Sequence, residues 1–306
     1  MTTSSARIFD IKRFAVHDGL GIRTTIFFKG CPLRCKWCHN PEGLRIQRLP
    51  IYFSNRCIHC KLCDASKKDG QMTYTDHPIF HYDYQGDFDH LVSVCPTNAI
   101  TYDAKEYTLE ELMKEIKKDL PFYKYNGGVT FSGGEPFLQH DFLLEILKAC
   151  KKEGIHTAIE SSFYISNEIV RKVIPYVDQI YCDLKLFNSD LHIEYTGVEN
   201  KLILENIAYL LSDKEIRNKV IIRTPLIPNI TATTNNIKSI AEFLYALYPD
   251  VTYELLNYNP LAYSKYDLYQ DVEYGLKKDI KKYNKEKMNE FYKIVENIGI
   301  KNLIKE

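Results

Sequence analysis

Three closely spaced cysteines constrain this chain more than any other feature, because the fold has to present their loop as a metal site. Cys31, Cys35 and Cys38 follow the pattern C-x3-C-x2-C. Three thiolates on one loop can hold three irons of a [4Fe-4S] cube, which leaves the fourth iron open to a reactant. His39 is too close to Cys38 to complete a zinc site without strain. A zinc knuckle and three buried thiols are the alternatives.

The residues around this loop predict alternating strands and helices. Residues 22–28 are β-branched and aromatic and lie between Gly21 and Gly30, so they predict a strand that ends at the cysteine loop. In parallel α/β barrels, reactive groups collect on the loops that follow the strands. Six strand–helix units predict an α/β fold, an open and TIM-like (β/α)6 barrel. The other predicted strands are 127–131, 155–160, 179–184, 220–224 and 251–256, and the predicted helices are 108–120, 138–152, 167–174, 200–211, 234–247 and about 278–297.

A second group of cysteines lies in a stretch of short, irregular pieces. Cys57, Cys60 and Cys63 follow C-x2-C-x2-C, and Cys95 precedes a proline, which is the bacterial ferredoxin pattern. These four thiolates are predicted to hold one auxiliary [4Fe-4S] cluster, with zinc as the alternative. A second set is missing, because Lys67 stands where a further cysteine is expected. The predicted division is 1–49 for the first part of the barrel with the cluster loop, 50–102 for a ferredoxin-like insert, and 103–306 for the rest of the barrel and a C-terminal helix.

Composition excludes several classes of protein. Of the 306 residues, 45% are apolar, which is ample for a core and excludes disorder. Lys plus Arg equals Asp plus Glu at 40 each, so no basic field predicts nucleic acid or an anionic membrane as a partner. The chain shows neither a signal peptide nor a membrane-length apolar run, so it is expected in the cytoplasm, with clustered cysteines that bind metal rather than form disulfides. Cys150 and Cys182 stand alone and are expected in the core.

The wider context of the cysteine loop resembles a known family. An aromatic residue, Trp37, precedes the third cysteine, as in radical S-adenosylmethionine (SAM) enzymes. Residues 16–25, leading into the loop, are similar to the entry segment of glycyl radical enzyme activating enzymes, the family of pyruvate formate-lyase activating enzyme. Leu20 stands where that family usually has proline. The resemblance implies a partial (β/α)6 TIM-like radical SAM barrel with a small ferredoxin-like iron–sulfur insert.

The resemblance also implies which residues hold SAM. Gly133, Gly134 and Glu135 follow the second predicted strand, where the family's Gly-Gly-Glu-Pro segment meets the methionyl amine. A plain tight turn is the alternative for two glycines, and charged residues at strand ends are common surface features. In the family, an acidic residue and an Asp-x-Lys at matching places lie near the SAM carboxylate and a bound monovalent cation, and a histidine by the ribose stands where this chain has Asn259. The residues assigned to the cofactor are Trp37, His39, Gly133, Gly134, Glu135, Glu160, Ser161, Asp183, Lys185, Arg223 and Asn259, and the catalytic set is Cys31, Cys35, Cys38 and Lys185.

The function that the resemblance implies is the activation of a partner glycyl radical enzyme. One electron cleaves SAM to methionine and a 5′-deoxyadenosyl radical, which removes hydrogen from a glycine Cα of the partner. The implied partners are that enzyme, with its C-terminal glycine loop as substrate, and a flavodoxin or ferredoxin as reductant, and the activating enzyme is expected to be a monomer. Two alternatives stay open: a radical SAM enzyme with a different substrate, and a ferredoxin-like electron carrier. For the auxiliary cluster, electron relay, structural support and partner docking all stay open.

Overall fold

The computed structural model describes residues 4–269, 271–277 and 279–305. The strands are β1 Ser5–Ala15, β2 Arg23–Phe28, β3 Pro50–Tyr52, β4 Met72–Tyr74, β5 Pro78–Phe80, β6 Ile100–Tyr102, β7 Lys105–Thr108, β8 Gly128–Gly133, β9 His156–Ser161, β10 Gln179–Asp183, β11 Val220–Leu226, β12 Thr252–Asn257 and β13 Leu303–Ile304. The helices are α1 Leu62–Ser66, α2 Asp89–Val94, α3 Leu109–Lys117, α4 His140–Lys152, α5 Asn167–Val173, α6 Ser189–Thr196, α7 Lys201–Ser212, α8 Thr234–Leu247, α9 Tyr263–Tyr266 and α10 Lys285–Ile298. No helix among the described residues has the length and apolar character needed to cross a membrane.

Parallel strands form the centre of the main sheet. β2, β8, β9, β10, β11 and β12 lie side by side in that order and all run in one direction. The register of the first pair places Arg23 opposite Gly128 and Phe28 opposite Gly133. The sheet runs from β13 at one end to β7 at the other, and these two edges do not pair within the described residues. This arrangement confirms the predicted open (β/α)6 barrel.

Two details of the prediction were wrong. The sheet does not begin with the strand before the cysteine loop, because β1 pairs antiparallel with β2 on one side and with β7 on the other. Its signal is an alternation in which Ala6 and Ile8 are buried and their neighbours are more exposed. The last helix begins at Lys285, where Asn284 accepts a hydrogen bond from the backbone N–H of Lys287 at 2.9 Å. The predicted start at Lys278 lies outside the described residues.

The two faces of the sheet differ in chemistry, and this difference positions the site. Ile26 and Phe28 on β2, and Val129 and Phe131 on β8, are buried in the main core together with residues of α3 and α4. Side chains alternate between the faces of a strand, so the residues between these point to the concave side. The concave side carries polar side chains from neighbouring strands, and the cysteine loop lies at the C-terminal end of these strands.

The insert is a small unit between β2 and β8 in the chain. Its stem is the antiparallel pair β3 and β6, with Pro50 opposite Tyr102, and its outer part is the hairpin of β4 and β5 with α1 and α2. A separate cluster of buried residues fills it: Met72, Phe80, Phe88, Leu91 and Ile100. Several partly buried aromatic rings pack around that cluster. The insert therefore has a core of its own, much smaller than that of the barrel.

Candidate functional site

The cysteine loop leaves the C-terminal end of β2 and is seated on the glycines that end β8. The Gly134 N–H donates to the Phe28 carbonyl at 2.8 Å, and the Glu135 N–H donates to the Gly30 carbonyl at 2.7 Å. A Cβ at Gly134 would lie 2.2 Å from the Gly30 carbonyl oxygen, and Gly133 has a φ of +115°. Only glycine allows this close approach and this backbone conformation. The structure thus brings the predicted Gly-Gly-Glu segment against the base of the cysteine loop.

The three thiols of this loop are partly buried and lie within range of one another's charge. Burial raises the pKa of Cys31 well above its ordinary value, and the neighbouring Cys35 and Cys38 raise it further. Burial also raises the pKa of Cys35 to about 12, although Lys185 opposes that shift. Thiolates in such a place need a cation to stabilise them, and iron supplies that charge. The donor set therefore fits a cluster held by three cysteines.

The spacing of possible ligands bears on the kind of metal. Within the described ranges, no group of three or more His, Cys, Asp or Glu side chains is arranged to hold a single metal ion. A four-iron cube takes one iron per thiolate, so its cysteines lie farther apart than the ligands of one zinc ion.

A ladder of charged side chains crosses the concave face below the cysteine loop. Ser132 donates to Glu160 at 2.6 Å, Arg223 donates to Glu160 at 2.9 Å and to Asp183 at 3.2 Å, and Lys185 donates to Asp183 at 3.0 Å. Ser132, Glu160 and Asp183 lie at or near the ends of β8, β9 and β10, and Lys185 follows β10. Arg223 lies in the middle of β11, which continues to Leu226, beyond the predicted end of that strand. The structure therefore brings together Glu160, Asp183, Lys185 and Arg223 as one network, which we call the charged ladder.

The charges of the ladder stabilise one another. Burial alone would raise the pKa of Asp183, but Lys185 and Arg223 hold that pKa below its ordinary value. Burial alone would lower the pKa of Lys185, but Asp183 and the Cys35 thiolate raise it. The guanidinium of Arg223 also lies over the ring of Tyr181, 4.8 Å from its centre. The top of the ladder is thus a permanent ammonium group facing the cluster cysteines.

Glu135 lies deeper than the sequence suggested. Its side chain is fully buried, and it accepts hydrogen bonds from the Ser161 hydroxyl at 2.7 Å and from the Ser162 hydroxyl and N–H at 2.6 and 2.9 Å. Burial raises the pKa of this carboxyl group, and these serine donors oppose the rise. The carboxylate joins the end of β8 to the end of β9, and the predicted residue Ser161 acts here through Glu135.

The remaining predicted residues are Trp37, His39 and Asn259. Trp37 is buried against Leu186, Ile227 and Tyr258. Burial lowers the pKa of the His39 imidazole. Asn259 is exposed, and its side-chain oxygen accepts from the Leu261 N–H at 3.0 Å, which caps the turn that follows. Trp37 and His39 thus belong to the cysteine loop itself, whereas Asn259 follows β12.

A segment after β12 packs against the cysteine loop; we call it the covering segment. The Tyr266 hydroxyl donates to the Cys38 carbonyl at 2.9 Å, and Lys265 pairs with Glu42 at 2.9 Å. The second carboxylate oxygen of Glu42 is buried and has no hydrogen-bond partner among the described residues. The sequence carried no signal for these contacts, because the partners are far apart in the chain.

The insert cysteines form the second candidate metal site. Cys57, Cys60, Cys63 and Cys95 line one cavity. Burial would raise the pKa of Cys95, but hydrogen bonds from the backbone N–H groups that follow it lower this pKa, including one from Ile100 at 3.4 Å. Four thiols around one cavity, with N–H groups aimed at a sulfur, fit a four-cysteine iron–sulfur cluster.

Some buried polar residues at the site were missed by the sequence analysis. Ser132 and Ser162 stand beside residues that it named, and both bind the carboxylates described above. Lys29 and Asp103 form an ion pair of 2.6 Å in which both side chains are 1% exposed. A lysine next to the glycine that starts the cysteine loop was the available signal, but its partner could not be identified from sequence.

Comparisons with known proteins agree with this geometry. A family model described as a 4Fe-4S single cluster domain matches residues 17–204. The chain is 40% identical to a 4-hydroxyphenylacetate decarboxylase activating enzyme of Clostridioides difficile (strain CD196), over 78% of this chain and 77% of that one. It is 38% identical to a choline trimethylamine-lyase activating enzyme of Oleidesulfovibrio alaskensis, over 80% and 79% of the two chains. It is 39% identical to a (2S)-3-sulfopropanediol dehydratase activating enzyme of Klebsiella oxytoca, over 78% and 76%. A solved domain of a pyruvate-formate lyase-activating enzyme from Bacteroides vulgatus is 30% identical, with a TM-score of 0.46 over 58% of this chain and 98% of that one.

Proposed function

Because this chain belongs to the radical SAM enzymes that activate glycyl radical enzymes, we propose that its cysteine loop and charged ladder together install a glycyl radical in a partner enzyme. The observation that carries this proposal is the ladder, in which Lys185 pairs with Asp183 at 3.0 Å and lies within electrostatic range of Cys31 and Cys35, whose loop has no fourth cysteine. When bound, the cluster supplies the electron that cleaves SAM to methionine and the 5′-deoxyadenosyl radical, which takes hydrogen from the partner's glycine.

The residues of this chain have separate tasks in the proposal. Cys31, Cys35 and Cys38 would hold the cluster, and because their loop supplies no fourth cysteine, SAM would be able to bind to it. Lys185 offsets negative charge at the cluster and the SAM carboxylate, because its ammonium is already held charged by Asp183. Gly133 and Gly134 would bring backbone close to the methionyl amine, and Glu135 keeps that backbone in place through Ser161 at the end of β9 and Ser162 directly after it.

Finer points of the proposal concern the other cofactors and partners. We assign one auxiliary [4Fe-4S] cluster to the four insert cysteines, and a flavodoxin or ferredoxin as the reductant of a monomeric enzyme. A monovalent cation at Asp183 would have to displace Lys185 or Arg223, because each oxygen of this carboxylate is already paired with one of these two cations. Relatives that activate a decarboxylase, a lyase and a dehydratase lie between 36% and 40% identity, which ranks none of these partners above the others.

The first test is anaerobic EPR of the reduced, iron-loaded protein with SAM and, in turn, glycyl radical enzymes of the decarboxylase, lyase and dehydratase types that its relatives activate. A glycine-centred doublet with matching 5′-deoxyadenosine supports the proposal. SAM cleavage without the doublet would redirect the chemistry to another substrate. An absence of cleavage with both clusters intact would favour the electron-carrier alternative.

A pair of lysine variants tests the role of the ladder. Lys185→Met is expected to lower the rate of SAM cleavage about 100-fold, because a buried charge aimed at the reacting groups is lost. Lys172→Met is the control, since Lys172 pairs with Glu168 on an exposed helix face at a similar distance of 2.7 Å. Equal rates in the two variants would contradict the assignment of Lys185.

A further inference from the structure

One buried lysine closes the cysteine loop at its base. Lys29 is the last residue before Gly30, and its ammonium group donates to the Glu42 carbonyl at 2.7 Å. The loop with Cys31, Cys35 and Cys38 lies between these two residues in the chain. The Lys29 side chain is 1% exposed, so water does not compete for these contacts. A single ammonium group therefore fixes the distance between the two ends of the loop.

The partner of Lys29 is the residue at which the insert ends. Asp103 Oδ2 accepts from Lys29 at 2.6 Å, and Oδ1 accepts from the Leu49 N–H at 2.9 Å. The Asp103 N–H in turn donates to the Leu49 carbonyl at 2.9 Å. Leu49 directly precedes β3 and Asp103 directly follows β6, the two strands of the insert stem. The Asp103 carboxylate thus binds both ends of the insert and joins them to the cysteine loop. We call the Lys29–Asp103 pair, with its contacts to Glu42 and Leu49, the clasp.

The covering segment also binds Asp103. The Tyr269 hydroxyl donates to Asp103 Oδ2 at 3.3 Å, and Tyr266, one helical turn earlier, binds the Cys38 carbonyl. Three separate parts of the chain, the cysteine loop, the insert stem and the segment after β12, therefore meet at one buried carboxylate.

Stability alone does not account for an ion pair in this place. An apolar pair of similar size is often as stable as a buried ion pair, because both charges lose their hydration. An apolar pair makes no directed contacts, whereas Lys29 and Asp103 bind one carbonyl and one N–H at defined positions on the loop and the stem. The ion pair therefore fixes the relative position of the loop and the stem, which an apolar pair would not do.

We propose that Lys29 and Asp103 are positioning residues for the cluster of the cysteine loop, and that the insert acts on that cluster by holding its loop through this clasp. The inference rests on the proposed function only in requiring that the loop holds an iron–sulfur cluster. It deepens that function, because it gives the insert a task that does not depend on electron transfer from its own cysteines.

The experiment isolates the cluster of the cysteine loop by its own spectrum. In a Cys57→Ala/Cys60→Ala background, which lacks the auxiliary cluster, all bound iron and all EPR signal come from the cysteine loop. Lys29→Met/Asp103→Leu is added to this background, since the matched apolar pair leaves no buried charge without a partner. The control is Lys117→Met/Glu153→Leu, which replaces an exposed ion pair of the same 2.6 Å length.

The measurements are the EPR spectrum of the reduced cluster without SAM and the rate at which a chelator removes its iron. The clasp variant is expected to give a broadened spectrum and iron release about tenfold faster, with both properties unchanged in the control. A pair that only stabilised the fold would leave the spectrum of the folded protein unchanged, so an unaltered spectrum and release rate would overturn the proposal. Asp103→Asn, which keeps the shape of the side chain, is expected to shift both properties in the same direction and tests the proposal if the double variant folds poorly.

The same samples separate this inference from the proposed function. Neither measurement uses SAM or a partner enzyme. If the unsubstituted protein fails to cleave SAM, a broadened spectrum of the clasp variant still supports the clasp, while the proposed function is overturned. If the unsubstituted protein cleaves SAM and the clasp variant has an unaltered spectrum, the function is supported and the clasp is overturned.

Discussion

The two cysteine sites of this molecule are held in different ways. The thiols of the cysteine loop sit at the top of the main sheet, on a base of glycines and above a ladder of paired charges. The insert thiols lie around a cavity of their own, Cys60 is exposed, and the contacts to Cys57 and Cys95 come from backbone N–H groups within a few residues. The first site is therefore organised by long-range contacts and the second by local ones.

The two sites therefore depend on the rest of the chain to different degrees. A site built from long-range contacts exists only when the whole barrel has folded, and it can place a reactant against several strands at once. A site built from local contacts can form within its own small unit, and it depends more on its metal for stability. The barrel site suits catalysis, and the insert site suits a resident cluster.

The largest expected effect contrasts one cysteine from each site. Cys31→Ala is expected to abolish SAM cleavage, because the open-iron cluster loses one of three ligands. Cys57→Ala is expected to retain cleavage with chemical reductant at a rate within about tenfold of the natural protein, because the clasp between the insert and the loop stays in place. The 5′-deoxyadenosine formed under dithionite measures both. A complete loss in the Cys57 variant would show that the insert cluster is needed for electron transfer.

The next effect concerns an arginine in each region. Arg223→Leu removes the cation shared by Glu160 and Asp183, so the free energy of unfolding is expected to fall by about 3 kcal/mol. Arg56 lies over the ring of Phe53 in the insert at 4.2 Å and is exposed, and Arg56→Leu is expected to cost about 0.5 kcal/mol or less. Urea unfolding followed by circular dichroism measures both, and equal losses would remove the contrast between the regions.

A smaller effect depends on pH. His192 is buried in α6, whose C-terminal carbonyls accept hydrogen bonds from the cysteine loop, and burial lowers its pKa. Below pH 6.5 the unfolded chain binds a proton that the folded imidazole resists, so stability is lost as pH falls, by up to about 1.4 kcal/mol per pH unit. In His192→Gln this loss is expected to be smaller, because the share of His192 is removed while His39 and His156, whose pKa values burial also lowers, still contribute. His90→Gln, at an exposed position of the insert, is the control and should keep the slope of the natural protein.

The smallest effect compares two lysine pairs. Lys265→Met leaves Glu42 with both carboxylate oxygens unpaired, so the free energy of unfolding is expected to fall by about 1 kcal/mol. Lys67→Met breaks the Lys67–Asp64 pair on the insert surface and is expected to cost about 0.3 kcal/mol. Thermal unfolding of the two variants side by side checks this order, and a larger loss in the insert would reverse it.

Much of the fold followed from patterns that are local in the chain. The apolar strands between glycines, the helical spacing after Thr108 and the glycines before Glu135 all carried their signal within a few residues, and the barrel that they predicted is present. β1 was missed because its alternation of buried and exposed residues is a weaker signal than the almost continuously buried run of β2.

The site could be predicted only as a list of residues at strand ends. Sequence placed Glu160, Asp183 and Arg223 at those ends, but their pairing depends on the strand order and register of the finished sheet. Lys29 and Asp103 show the same limit, because an ion pair between residues this far apart in the chain has no local signature.

The clasp also bears on how such a chain can change over evolution. The insert leaves the barrel at Leu49 and returns at Asp103, and these two residues bind one another directly. The entropy cost of closing a loop grows only slowly with its length. Segments can therefore be gained or lost between these two residues without altering the path of the barrel. Inserts with one cluster or two are then expected to differ in what lies between the two residues, while the junction itself stays the same.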